Sequence, residues 1–139
     1  VLLVSQFRLP AYLRGDNGWL WEAIAGTVPL GQDPLAVARQ ECLEEAGYAF
    51  TDLIPIMTVY LSPGGATERV YIYVARLSAG RLCGQGGGAP GSGEDIRAQR
   101  FSLSQAMEMI EQGAIVDAKT VMALQYLALR KERFAEPGK

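Results

Sequence analysis

Along the chain, apolar and polar positions alternate in short runs and then switch to helical spacing, and these switches mark off the elements. Val1 to Phe7 is rich in apolar and β-branched residues and predicts a strand that ends near Pro10. Tyr12 to Gly18 has the Gly, Asp and Asn content of a turn, and Trp19 to Ala25 predicts a second strand broken by one charge, Glu22. Gly26 to Gln32 reads as a loop. Asp33-Pro34 then predicts a helix start, with Asp as N-cap and Pro at the first helical position, where its φ is already set. Leu35, Ala38, Cys42 and Ala46 follow at spacings of three to four, and Gly47 supplies a left-handed stop.

Leu53 to Leu61 and Val70 to Leu77 predict two strands joined by the turn-forming Ser62-Pro63-Gly64-Gly65. Gly80 to Gly93 holds seven glycines in fourteen residues and little to bury, so a mobile loop is expected there. A strand over Arg97 to Phe101 comes next, then amphipathic helices over Ser104 to Glu111 and Ala118 to Lys131, the second capped by Asp117. Strands around one early helix, closed by two more helices, imply an α/β or α+β class. The 139 residues, 49% hydrophobic, suit a single domain over 1–139.

Charge and composition narrow the chemistry. The net charge is −2, from 13 basic and 15 acidic residues, with no basic block, so no nucleic-acid partner is expected. No run approaches the roughly 18 apolar residues of a membrane span, and Val1 to Val4 is too short for a signal peptide. The expectation is a chain without a membrane partner, located in the cytoplasm. Two cysteines without a paired ligand, and no histidine at all, argue against zinc and against the commonest general base. Acid–base work would then fall to carboxylates, Lys, Tyr or Cys. The chain opens inside strand-like sequence and is expected to be part of something longer.

The early helix carries Glu41, Glu44 and Glu45 at i, i+3 and i+4, and so on one face. Three such carboxylates repel one another, and the C-terminal half of a helix disfavours anions further. A bound divalent cation with hard oxygen ligands, Mg²⁺ in the first place, relieves that conflict. A solvated Glu-rich face is the alternative. Gly26, Glu41, Cys42, Glu44, Glu45, Gly47 and Tyr48 together resemble the signature G-x5-E-x7-R-E-U-x-E-E-x-G-U of the Nudix hydrolases, where U is a bulky apolar residue. Further stretches resemble the branch that acts on ADP-ribose and GDP-mannose: Gln6-Phe7-Arg8, Glu22 to Gly26, Ser62 to Gly65 with Glu68, Glu94-Asp95-Ile96 and Asp117 to Thr120.

This resemblance implies a Nudix fold, with a mixed β-sheet sandwiched between helices, and Mg²⁺- or Mn²⁺-dependent cleavage of the pyrophosphate in a nucleoside diphosphate sugar. It implies that Glu41, Glu45 and the backbone carbonyl of Ala25 hold the cation, and that Glu44 and Glu94 take part in catalysis. Arg8 is expected to meet a phosphate and Glu22 the base or sugar, although a structural ion pair explains each equally well. Gly64 and Gly65 are expected to shape the substrate pocket, with a plain turn as the alternative. The branch also implies a homodimer assembled with an N-terminal β segment that precedes Val1. Three positions depart from the pattern. Gln32 stands for the first signature Glu, Gln40 for the Arg, and Ser92 for a loop Glu associated with water activation. Gln40 keeps an amide donor but no charge, while Arg39, one place early, points about 100° away around the helix. These losses open a second reading, a domain that binds a nucleotide sugar without turning it over.

Overall fold

The computed structural model describes residues 1–134 apart from 78, 79, 90 and 92. The chain runs β1 (Leu2–Phe7), α1 (Leu9–Arg14), β2 (Trp19–Glu22), α2 (Pro34–Ala46), β3 (Tyr48–Ala49), β4 (Ile54–Tyr60), β5 (Arg69–Val74), β6 (Arg81–Leu82), β7 (Arg97–Arg100), α3 (Leu103–Glu111), α4 (Ala118–Leu129) and α5 (Lys131–Phe134). Among the described residues, the strand pairs are all antiparallel and form three small sheets, ordered β2-β1-β7, β3-β6 and β4-β5.

Strand alternation in β1 explains how one sheet comes to lie between helices. Leu3 points into a core with Ala106 of α3, Ile115 and Leu124 of α4, backed by Trp21 and Phe101. Its neighbour Leu2 points the other way, onto a second core made by Cys42 and Ala46 of α2 with Tyr48 and Phe50. Val4, Gln6 and Arg8 share the face of Leu2, and in the register β1–β2 Val4 sits opposite Glu22. The expected α/β class and a sheet between helices are therefore both present, although among the described residues no parallel pair makes the sheet mixed.

Helix α2 forms where expected. Asp33 accepts from the amides of Leu35 and Ala36, Pro34 opens the helix, and Gly47 closes it at φ +73°. Ser102 and Gln105 close a capping box on α3, and Asp117 caps α4 through the amide of Thr120. Two further features differ from expectation. The residues after β1 form a six-residue helix, α1, instead of a turn: Pro10 sits within its first turn, where a missing N–H costs nothing, and Gly15 ends it in the left-handed region.

The second difference is the glycine-rich stretch, which is held rather than loose over its first part. The amides of Cys83 and Gly84 donate to the Gly47 carbonyl at 2.7 and 3.2 Å, while those of Gly87 and Gly88 donate to the carbonyls of Glu45 and Glu44, both at 3.0 Å. These carbonyls end α2 and have no partner within the helix. Backbone meets backbone so closely that a Cβ on Gly86 would stand 2.8 Å from the carbonyl carbon of Ala46, and one on Gly47 would stand 2.6 Å from that of Gly84. Glycine here permits contact, which is a different use from flexibility.

Candidate functional site

The helix face carrying Glu41, Glu44 and Glu45 is graded in depth. Glu45 is 3% exposed and buried, whereas Glu41 and Glu44 are half-buried. The grading follows from α2 packing its Cys42 and Ala46 edge into the second core, which draws the adjoining Glu45 in with it. Its Oε2 accepts from the amide of Ala25 at 3.3 Å, so the segment leaving β2 lies against the carboxylate. Burial pushes the Glu45 carboxyl up to about 7; Glu41 and Glu94 add to this, against the Ala25 hydrogen bond and the more distant Arg8. Burial also raises the Glu41 carboxyl, with Glu44 and Glu94 contributing.

Gly26 meets the site by close approach. A Cβ there would overlap the carboxylate of Glu41 and stand 2.5 Å from its Cγ. Only a hydrogen at this position leaves Glu41 its place. Glu94 is exposed, accepts from the amide of Ala89 at 3.3 Å, and acts electrostatically on both Glu41 and Glu45. Gln40 donates to Glu44 Oε1 at 2.5 Å, so this amide faces the cluster as an uncharged donor. Arg39 turns away and donates to the Thr51 carbonyl at 2.7 Å, as its place on the helix requires. Gln32 is exposed in the turn before α2, and Ser92 lies outside the described residues.

The donor set suits a hard cation. Every side chain in the cluster offers carboxylate oxygens, the most buried one is short of positive charge, and the nearest full cation acting on it is Arg8. Among the described residues, no group of three or more acidic or thiol side chains is placed to hold a metal ion, so fewer than three side chains would serve one here. An ion held here would therefore keep water or substrate oxygens in its remaining positions, as Mg²⁺ commonly does. Cys42 is not a competing nucleophile, because burial raises its thiol to about 11.

Arg8 and Glu22 come together in an ion-pair network. Arg8 Nε and Nη2 donate to the two Glu22 oxygens at 2.6 and 2.9 Å, and Lys119 Nζ reaches Glu22 Oε2 at 2.6 Å and Asp117 Oδ1 at 2.8 Å. Burial alone would raise the Glu22 carboxyl, yet the bonds from Arg8 and Lys119 hold it below the usual carboxylate range. Glu22 is shut in at 2% side-chain exposure, while the Arg8 side chain remains 40% exposed. The sequence pattern places Arg8 and Glu22 near the site; Lys119, Asp117 and Thr120 enter it from the start of α4, about a hundred residues away, and the resemblance over Asp117 to Thr120 is the signal that pointed to them. Gly64 and Gly65 lie in the β4–β5 turn, where Gly65 and Ala66 donate to the Ser62 carbonyl at 3.0 and 2.8 Å. Among the described residues, no hydrogen bond joins this turn to α2, and a Cβ on Gly64 would meet open space.

No helix among the described residues is long and apolar enough to cross a membrane. Residues 1–124 match the family described as NUDIX domain. The chain is 37% identical over 130 residues to a GDP-mannose pyrophosphatase of Escherichia coli O1:K1 / APEC, spanning 93% of this chain and 66% of that protein. A GDP-mannose pyrophosphatase of Shigella flexneri serotype 5b (strain 8401) matches to the same extent, 37% over 130 residues. The chain thus spans just under two thirds of the length of these relatives. Among solved structures, an ADP compounds hydrolase superposes with a TM-score of 0.74 at 19% identity, over 93% of this chain and 66% of that one, which is a likeness of fold. With a glycine at each end of the segment 26–47, the carboxylate helix between them and the match over residues 1–124, the chain belongs to the Nudix family.

Proposed function

We propose that the protein hydrolyses the pyrophosphate bond of a nucleoside diphosphate sugar, with GDP-mannose as the first candidate because the curated relatives above carry that activity in their names. The observation that carries the reading is the Glu45 carboxylate, 3% exposed, on the helix face it shares with Glu41 and against the Ala25 amide. A group so placed is costly to ionise alone and well suited to a cation.

Glu41 and Glu45, with the Ala25 backbone beside them, hold Mg²⁺ or Mn²⁺. Such a cation, when bound, neutralises the diphosphate and favours attack by water. Glu94 takes the proton of the attacking water, while Glu44, bonded to Gln40, completes the acidic face. Water oxygen forms a bond to one phosphorus as the bridging P–O bond breaks, giving a nucleoside monophosphate and a sugar phosphate. Arg8 meets a phosphate with the guanidinium hydrogens it does not give to Glu22, and Glu22 fixes the orientation of that fork. Gly64 and Gly65 border the sugar nucleotide from the β4–β5 turn. The protein works in the cytoplasm as a homodimer, without nucleic-acid or membrane partners.

The uncharged Gln40 beside Glu44 favours one further reading, a domain that binds the nucleotide sugar without turnover. Turnover of GDP-mannose, ADP-ribose and UDP-glucose with Mg²⁺ or Mn²⁺, against a Glu45→Gln control, separates the two. Cation-dependent release of a nucleoside monophosphate that the control lacks supports the hydrolase. Calorimetric binding with no release in any case supports the sensor.

A further inference from the structure

Helix α4 packs through Leu124 into the core on the other side of the sheet from the carboxylate helix, yet its first turn holds the peptide that leads to the site. Thr120 is fully buried. Its hydroxyl donates to Asp117 Oδ2 at 2.5 Å and accepts from the amide of Ala23 at 2.6 Å. The direction of this relay is fixed by chemistry. An amide can only donate, and Asp117 also receives the Thr120 amide at 3.0 Å as the helix cap, so the single hydroxyl proton must go to Asp117. One residue earlier, Lys119 of the same turn grips Glu22. The Glu22-Ala23 step is therefore held by side chain on one side and by backbone on the other.

From Ala23 only Ile24 intervenes before the site begins. The Ala25 amide lies on Glu45 Oε2, and Gly26 lies under the carboxylate of Glu41. Residues 23 to 26 have left β2 and carry no sheet hydrogen bonds of their own among the described pairings; Ile24 packs against the second core, and the Thr120 hydroxyl holds the amide at the start of the segment. We propose that Thr120 is a positioning residue, acting through the Ala23 amide to set the segment 23–26 and with it the separation of Glu41 and Glu45. The inference rests on those two carboxylates being the cation-holding pair. Thr120 touches neither cation nor substrate. Its role is that of an outer hydrogen bond that orients groups nearer the ion.

The test is Mn²⁺ affinity, measured by electron paramagnetic resonance on the full chain for wild type, Thr120→Val, Thr120→Ser and Glu45→Gln. Valine keeps the shape and loses the relay; serine keeps the relay. Thr120→Val is expected to bind Mn²⁺ at least about tenfold more weakly, the lower end of what outer-sphere partners contribute, while Thr120→Ser binds as wild type. Wild-type affinity in a folded Thr120→Val, with affinity lost in Glu45→Gln, overturns the positioning role and leaves the cation site standing. Undiminished affinity in Glu45→Gln overturns both. Should Thr120→Val fail to fold, amide exchange in the unmodified protein decides. Coupling is reciprocal, so Mg²⁺ must slow exchange at the Ala23 amide, and an unchanged rate overturns the proposal.

Discussion

The side chain of Glu41 fills the space that a Cβ on Gly26 would need, with its Cγ 2.5 Å from that position and its carboxylate closer still. The two residues are fifteen apart in sequence and belong to different elements, and their contact ties the exit from β2 to the middle of α2.

Gly26→Ala is therefore expected to displace the Glu41 carboxylate and leave the fold intact, because the atoms in the way are the end of a flexible side chain. A misplacement of about 1 Å at a reacting centre costs on the order of a hundredfold in rate. Turnover should fall by about that factor while the melting temperature stays close to wild type. A large drop in melting temperature would show that Gly26 serves the fold instead.

Glu45 sets the sign of a pH effect in the cation-free protein. Its carboxyl is raised from 4.5 to about 7 in the fold, so between those values the folded state binds more protons than the unfolded state. Stability should then fall as pH rises through that window. Thermal melts from pH 4 to 8 in chelator are expected to show this slope, and Glu45→Gln to flatten it. With cation present, affinity should rise with pH up to about 7, since proton and ion compete for the same oxygens.

Glu22 acts in the opposite sense. Its carboxyl is held below the usual range by Arg8 and Lys119 against the effect of burial, so its stabilisation is present above pH 4.5 and is lost as pH falls through the folded value. Glu22→Gln leaves Lys119 with half its partners and Arg8 without its ion-pair partner. Because Arg8 is 40% exposed and can turn to water, a loss of about 2 kcal/mol is expected, below the roughly 3–5 kcal/mol of a fully buried pair. Urea titration of the two proteins at pH 7 measures it.

Gly86→Ala should loosen the clasp on α2. Its φ of +71° disfavours a side chain, and the Cβ would press on the Glu45 and Ala46 backbone. A cost of about 1–3 kcal/mol is expected, with faster amide exchange at Gly87 and Gly88. Gly84→Ala is the matched control, since a Cβ there meets open space at an ordinary φ. Equal behaviour of the two variants would dismiss the clasp.

The parts legible in the sequence were those set by local rules. Asp33-Pro34 and Gly47 delimit α2 because caps act within a turn of themselves, and the i, i+3, i+4 spacing put Glu41, Glu44 and Glu45 on one face without any tertiary knowledge. Gln40 as a neutral donor and Arg39 as a residue turned away followed from the same helical geometry. Helix α1 was hidden because Pro10 suits a strand end and a first helical turn alike, and because α1 buries none of its residues, so no apolar period marks it. The depth difference between Glu45 and Glu44 depends on what α2 packs against, which spacing does not carry. Lys119 and Thr120 reach the site through a contact ninety-seven residues long, so the resemblance marked the stretch Asp117 to Thr120 while local spacing could not say what it touches.

The glycine clasp at the end of α2 is built wholly from main chain, and this changes what its lineage must preserve. Substitution at such a place is judged by bulk and backbone conformation and hardly at all by chemistry, so the demand falls unevenly: Gly47 and Gly86, whose Cβ would meet opposing main chain, have no substitute, whereas Gly84 beside them is open to one.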